Sequence, residues 1–353
     1  MFDKKLSLTI VLTLTIGLLP SFSAFALNYS GSQGNPATFE TLEETRTSSP
    51  AAVAQLETNN GKAFKSHPVL DGYPKGTTYV YRSANLFGGR AAARLNTDIL
   101  LLVEKSFSGK DAALAYLKSL DLIRIIDEAI GSIVLVTPSD PKAGFTASDQ
   151  KYYYALQTAM LAQKAYERSG NAATYYSDAE YFGGYGYTYV IGIDGGATFL
   201  NNYVAGTFDY VSRIAGMLLI NGKMDNVRNV AALVPVYLVN APESVIAKYM
   251  KVNDVDAYRN ASGIETYFNQ AFPLRKVVVA RETGNPDAAK YIKDAYYCWY
   301  LNNGDGVPMV ALNFTEHLIH ALYPEYARIA WDFVKHYSRD HKTGAIKYNP
   351  HVQ

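Results

Sequence analysis

The sequence predicts an α/β protein with a mostly parallel central sheet and helices on both faces. Short apolar runs alternate with helical stretches from about residue 76 onwards. One run, residues 98–103, is continuously apolar after its first residue, which is typical of a central parallel strand. Around residues 187–204, a β-branched run, a turn rich in glycine and a helical repeat follow one another directly. A strand that passes straight into a helix in this way is expected at the carboxyl edge of such a sheet.

Each predicted strand is a short run of apolar, β-branched or aromatic residues. Turn-forming residues separate several of them: Gly88-Gly89 follow the first run and Pro138 ends the third. Pro235 stands near the start of a strand, where the missing N–H is tolerable. The predicted strands cover residues 77–82, 98–103, 132–137, 188–191, 214–220, 234–239, 275–280 and 308–313.

The predicted helices lie between these strands. Residues 109–128 bring a set of apolar side chains to one helix face, namely Ala112, Ala113, Tyr116, Leu117 and Leu120. Residues 148–168 predict one long helix with Ser148 as a candidate N-cap, and residues 326–337 predict the last helix. The helix after the glycine-rich turn is indicated by Phe199, Leu200, Tyr203 and Val204.

The first 26 residues predict a cleaved export signal. Lys4 and Lys5 precede an apolar run over residues 6–19, and Ala24-Phe25-Ala26 matches a small-residue cleavage site. The run is shorter than the roughly 20 residues that span a bilayer, so a secreted protein without a membrane span is predicted.

The remaining chain predicts an arm and one domain. Residues 27–75 are rich in Asn, Ser, Thr, Gly and Pro and show little periodicity, so they are predicted to form an extended N-terminal arm. Residues 76–353 are predicted to form the α/β domain. The segment 243–273, between two predicted strands, is the best place for an insertion that covers a cleft.

Charge and cysteine content argue against several classes of function. The chain has 33 Lys+Arg against 32 Asp+Glu, a net charge of +1, so no nucleic-acid partner is predicted. Cys298 is the only cysteine and allows no internal disulfide; its aromatic neighbours predict a helix with a buried, inert thiol. No metal-ligand spacing and no phosphate-binding loop occurs, so neither a metal nor another cofactor is predicted.

The turn at residues 192–196 has the frame of a nucleophile elbow with one substitution. In the frame G-x-S-x-G, the serine stands at a sharp strand-to-helix turn, and the glycines allow the turn and the close helix packing. Here the sequence is Gly-Ile-Asp-Gly-Gly, and Asp194 stands at the apex.

Three stretches carry a resemblance to a known family: Y-V-I-G-I-D-G-G at the elbow, V-P-V-Y-L-V-N-A-P-E, and H-A-L-Y-P-E-Y-A-R-I-A-W-D-F-V-K-H-Y-S-R-D. In this order they resemble the α/β-hydrolases, and most closely the secreted poly(3-hydroxybutyrate) depolymerase and feruloyl-esterase branch. The resemblance covers roughly residues 95–345. It implies an α/β-hydrolase fold and the hydrolysis of carboxylic esters, with a small ester or a polymer as substrate.

The resemblance also implies which residues form the site. His320 matches the triad histidine, with His317 as a competitor three residues earlier. Glu243, after the strand that ends at Val239, is the candidate acid. A surface histidine and a solvated loop carboxylate are the plain alternatives for these residues. The candidate oxyanion and cleft residues are Gly195, Lys105 and Ser106, although the loop 104–107 lacks the glycine-rich sequence typical of the family.

Asp194 leaves three functions open. The first is a secreted esterase or depolymerase-like hydrolase with altered catalytic groups. The second is an inactive homologue that uses the cleft to bind a ligand, a polymer or an extracellular partner. The third is a hydrolase of alkyl substrates in which the aspartate is the nucleophile, although Gly195 stands where such enzymes usually carry a tryptophan. An aspartate is a poor nucleophile toward esters, because the mixed anhydride that it forms reverts more readily than it expels the alkoxide.

Overall fold

A computed structural model describes residues 38–41, 73–83, 96–129, 131–161, 163–168, 172–177, 184–225, 229–255, 275–278, 295–315, 324–340 and 343–351. All of them belong to one compact unit, Gly34–Gln353. The other unit, Met1–Gln33, lies outside the described residues and contains the predicted export signal.

The strands of the described residues form a ten-stranded sheet and two small hairpins. The sheet has the order β1-β2-β4-β3-β7-β8-β9-β12-β11-β10, while β5 pairs with β6 and β13 with β14. In chain order the strands are β1 (Thr38–Thr41), β2 (Thr78–Arg82), β3 (Asn96–Val103), β4 (Gly131–Val136), β5 (Gln163–Arg168), β6 (Ala172–Ser177), β7 (Gly184–Ile193), β8 (Gly216–Ile220), β9 (Val236–Val239), β10 (Arg275–Val278), β11 (Ala295–Asn302), β12 (Pro308–Thr315), β13 (Tyr337–Arg339) and β14 (Ile346–Tyr348).

The middle of the sheet is parallel. From β4 through β3, β7, β8 and β9 to β12, each neighbouring pair runs in the same direction. The outer strands at both ends pair antiparallel with their neighbours. The chain leaves β3 toward β4 on one side and leaves β7 toward β8 on the other, so the connections reverse direction between β3 and β7. In open α/β sheets, ligands bind beyond the carboxyl ends of the strands at such a point.

Helices cover both faces of this sheet. They are α1 (Lys110–Ser119), α2 (Leu122–Ala129), α3 (Gln150–Leu161), α4 (Gly195–Phe199), α5 (Phe208–Val211), α6 (Glu243–Val252) and α7 (Pro324–Val334). Two apolar clusters share the alternating side chains of the strands. One contains residues of α3, α4 and α6, and the other contains residues of α1, α2 and α7. The predicted α/β class with a mostly parallel sheet is therefore confirmed.

Two predicted helices are shorter than the sequence pattern indicated. The helix predicted over 109–128 is broken at Asp121, which adopts a left-handed backbone with φ 58. The helix predicted over 148–168 ends at Leu161, and residues 163–168 form β5 instead. Its N-terminal cap is Thr146, not Ser148: the Thr146 hydroxyl accepts from the Ser148 N–H at 3.3 Å, within a capping box completed by Asp149.

Cys298 lies in a strand, so the helix predicted there is wrong. It pairs with Asn313 across β11 and β12, and this pairing with a neighbouring strand outweighs the local pattern. Part of the predicted N-terminal arm also belongs to the domain. Residues 38–41 form the edge strand β1, and Tyr73 stacks on Tyr152 with ring centres 3.4 Å apart.

The buried side chain of Arg339 connects β13 to the rest of the domain through hydrogen bonds. Arg339 on β13 is 4% exposed, and its guanidinium donates to the carbonyl oxygens of Ile214 at 2.9 Å, Leu233 at 2.5 Å and Gly344 at 2.6 Å. Burial lowers the pKa of Arg339 to about 10, so the group remains charged at neutral pH.

Candidate functional site

The carboxyl end of β7 forms a sharp turn into α4, with Asp194 at its apex. Asp194 has φ 51 and ψ −112, which is a strained backbone for a residue with a side chain and costs about 1–3 kcal/mol. Its N–H donates to the Ile220 carbonyl oxygen at 2.9 Å, and its own carbonyl oxygen accepts from the Thr198 N–H at 3.0 Å. The turn that the sequence predicted at Asp194 is therefore present.

Two glycines of the frame allow α4 to pack closely on the sheet. A Cβ on Gly192 would lie 2.6 Å from the Ala197 Cα, and a Cβ on Gly196 would lie 2.1 Å from the Leu102 carbonyl oxygen. Real Cβ atoms do not approach so closely, so a side chain at either position would push the helix away from β7 or β3.

Two asparagines continue the line of Asp194 along the carboxyl edge of the sheet. Asn221 directly follows β8 and Asn240 directly follows β9, and both have a left-handed backbone, with φ 54 and 50. Asn221 Nδ2 donates to Asp194 Oδ1 at 2.9 Å, and Asn240 Nδ2 donates to Asn221 Oδ1 at 3.3 Å. One oxygen of Asp194 thus accepts a hydrogen bond from Asn221, and the side chain of Asn221 is in turn fixed by a hydrogen bond from Asn240.

Glu104, the residue after β3, places a second carboxylate beside the elbow. Its Oε1 accepts from the Phe145 N–H at 3.1 Å. A Cβ on Gly195 would lie 1.7 Å from Glu104 Cδ, and a Cβ on Gly144 would lie 2.4 Å from Glu104 Oε1. The carboxylate therefore lies directly against the Gly195 backbone, and the two glycines provide its space.

Tyr116 of α1 lies near Asp194 and also lines a hollow on the protein surface. Burial and the charge of Asp194 raise the pKa of Tyr116 to about 12, so its hydroxyl stays protonated at neutral pH. The Tyr116 ring centre lies 5.4 Å from that of Phe107, and Lys105 Nζ lies 4.7 Å from the Tyr116 centre. The hollow measures about 480 Å³ and is lined by Lys105, Ser106, Phe107, Ser108, Ala112, Ala115, Tyr116 and Ser119.

The other predicted site residues have different positions. Gly195 lies at the elbow, and Lys105 and Ser106 line the hollow next to it. Glu243 is exposed and is the first residue of α6, not a loop residue as the sequence suggested. Both histidines, His317 and His320, lie outside the described residues, so their convergence with Asp194 remains a prediction.

Sequence reasoning missed four residues of this site. Asn221 and Asn240 carried a usable signal, because each immediately follows an apolar run, and Asn is one of the few residues that readily adopts positive φ. Glu104 occurs in the loop that the sequence pointed to, but its contact with Gly195 depends on the fold. Tyr116 belongs to the apolar face predicted for its helix, and no sequence signal assigned it to the site.

Two features are absent from the described residues. Within the described residues, no group of three or more His, Cys, Asp and Glu side chains could hold a metal ion. In the same part of the chain, no helix has both the length and the apolar character needed to cross a membrane.

Comparison with known proteins assigns no family to this chain. No protein-family model matches it, and no curated protein matches it.

Proposed function

We propose that this chain is a secreted protein with the α/β-hydrolase fold whose elbow binds a ligand rather than hydrolysing esters. The strained strand-to-helix turn at the carboxyl edge, with glycines two residues before and after its apex, supports the fold. So does the position of the turn, where the sheet connections reverse direction. The two other sequence stretches that resemble this family, which lie outside the elbow, also support it.

The position of Glu104 carries the functional half of the proposal. In this fold, the oxyanion of an ester intermediate binds to the N–H of the residue after the nucleophile and to an N–H from the loop after the third strand. The corresponding residue here is Gly195, and the Glu104 carboxylate lies against its backbone. A full negative charge at this place opposes the charge that ester hydrolysis must develop.

The aspartate at position 194 also disfavours ester hydrolysis. An aspartate has no hydroxyl that a catalytic base could activate as it activates a serine. Its attack on an ester would give a mixed anhydride that reverts. Two changes at neighbouring positions, Asp194 and Glu104, therefore disfavour the same reaction for different reasons.

One observation favours a second candidate function, the hydrolysis of alkyl substrates. Asn221 fixes one oxygen of Asp194 at 2.9 Å, which orients the other for attack on carbon. The ester that forms on the enzyme would then be cleaved by water at the Asp194 carboxyl carbon. The Glu104 charge would also oppose that second step, so ligand binding remains the better-supported function.

The test compares wild type with Asp194→Ala on short acyl esters and on alkyl halides and epoxides. We expect no turnover above background by either protein. Turnover of esters by the wild type that disappears in Asp194→Ala would refute the proposal. Turnover of alkyl substrates, with ¹⁸O from labelled water entering the Asp194 carboxylate, would establish the second candidate instead.

A further inference from the structure

We propose that the hollow beside the elbow binds a small organic ammonium ion, and that the Lys105 side chain occupies this place until the ligand displaces it. The inference rests on the proposed function in one respect, because it takes the cleft to be a binding site. It adds the class of ligand and a device that regulates access.

The rings of Phe107 and Tyr116 form a site that can attract a cation. Phe107 and Tyr116 lie with ring centres 5.4 Å apart and an angle of 47° between their planes. Lys105 Nζ lies 4.7 Å from the Tyr116 centre and 6.0 Å from the Phe107 centre. Both distances are within the range of cation–π attraction, which extends to about 6 Å. The ammonium group of Lys105 thus occupies the position in which we propose that a ligand's ammonium group binds.

Lys105 is well suited to give way to a ligand. Its side chain belongs to an exposed residue in the loop after β3, and it reaches the rings through four flexible methylene groups. Among the described residues, no hydrogen bond or ion pair ties its ammonium group to a carboxylate. Among the contacts that the structure describes, a ligand that replaced it would compete with the two ring contacts.

The charge around the rings favours a cation. Asp194 lies close enough to Tyr116 to raise the pKa of its hydroxyl, so the negative field of the elbow reaches the hollow. Glu104 adds a second carboxylate at the base of the same turn. These two charges repel an anionic ligand and attract an ammonium ion.

The lining of the hollow favours an organic cation over a metal ion. Small residues on the exposed side of α1, Ala112, Ala115 and Ser119, leave an open space of about 480 Å³. Ring faces attract weakly hydrated ammonium groups, whereas Ca²⁺ and Mg²⁺ require shells of six or more oxygen ligands. Ser106 and Ser108 provide hydroxyls for a polar group on the same ligand.

The experiment titrates the purified protein, as it is recovered after export, with choline and with its neutral isostere, 3,3-dimethylbutan-1-ol, by calorimetry at constant ionic strength. We expect saturable binding of choline and at least five-fold weaker binding of the isostere. Lys105→Met should bind choline about three- to ten-fold more tightly, because the internal competitor is gone. Lys118→Met, which removes an exposed lysine from the end of the same helix, is the matched control and should leave the affinity unchanged.

Two ring variants complete the test. Phe107→Leu should weaken choline binding about five-fold, whereas Tyr116→Phe, which keeps the ring, should retain most of it. Equal affinity for choline and the isostere, or the absence of saturable binding, would overturn the inference. An unchanged affinity in Lys105→Met would overturn the role of Lys105. None of these results would affect the proposed function, which fails only if Asp194-dependent turnover appears.

Discussion

Removal of the Glu104 charge should favour ester hydrolysis at an elbow that carries a serine in place of Asp194. Asp194→Ser supplies a nucleophile whose proton a base can take, and the predicted base is His320. Glu104→Gln then removes the charge beside Gly195 while it keeps the shape of the side chain and an oxygen for the Phe145 N–H. We expect the double variant to hydrolyse short acyl esters faster than Asp194→Ser alone.

The contact between Glu104 and Gly195 sets the size of this effect. At a separation of roughly 4 Å, two unit charges repel by about 4 kcal/mol at an effective dielectric constant near 20 and by about 1 kcal/mol in water, and these values bracket the repulsion between Glu104 and an oxyanion beside Gly195. Glu104 is exposed, so a value between these limits, about 2 kcal/mol, is appropriate. That free energy corresponds to roughly a 30-fold difference in kcat/KM.

The assay measures kcat/KM for p-nitrophenyl butyrate in both serine variants at low and high salt. The difference between them should shrink at high salt, because ions screen an exposed charge. Asp111→Asn in the Asp194→Ser background removes one negative charge from the exposed first turn of α1 and should have little effect. Equal rates for the two serine variants would refute the reasoning. A rate that survives His320→Ala would exclude His320 as the base.

Three further predictions concern stability and export. Arg339→Met should lower the free energy of unfolding by about 3 kcal/mol and the Tm by roughly 6 °C in a calorimetric scan, because the carbonyl oxygens of Ile214, Leu233 and Gly344 lose their donor. Lys347→Met, on the exposed neighbouring strand, should change both values little. The pKa of Tyr116 lies above the value of about 10 expected in the unfolded chain. The contribution of its protonated hydroxyl to the free energy of unfolding is therefore present below pH 10 and is lost as pH rises toward about 12. Denaturant titrations should show a smaller alkaline loss of stability in Tyr116→Phe than in the wild type. Exported protein should begin near Leu27, and mass spectrometry that finds an intact Met1 would refute cleavage.

Local pattern predicted the parallel core of the fold, and long-range pairing decided the parts that were missed. Buried parallel strands are continuous apolar runs, so β3, β4 and β8 were found close to their true bounds. The aromatic run around Cys298 contains no strong breaker and fits a helix or a strand equally well. Its pairing with β12 selected the strand.

In the candidate site, too, local sequence predicted one part and long-range packing decided the other. The elbow could be predicted because its glycines and its strand lie within a few residues of Asp194. The Glu104 contact could not, because it joins a loop after β3 to Gly195 and to Gly144, which are distant in sequence. Sequence order constrains which loops share the carboxyl edge of a sheet, but the direction of a side chain within a loop depends on the packing of its neighbours.

The two outermost strands of the sheet bear on how readily two copies of the protein could join their sheets. In the part of the chain that the structure describes, β1 and β10 end the sheet, and each is only four residues long. Short edges offer few backbone groups to a second molecule, and both strands carry charge: Glu40 in β1, and Arg275 and Lys276 in β10. Two copies that joined β10 to β10 would bring two pairs of basic residues to one shared edge, which disfavours that contact.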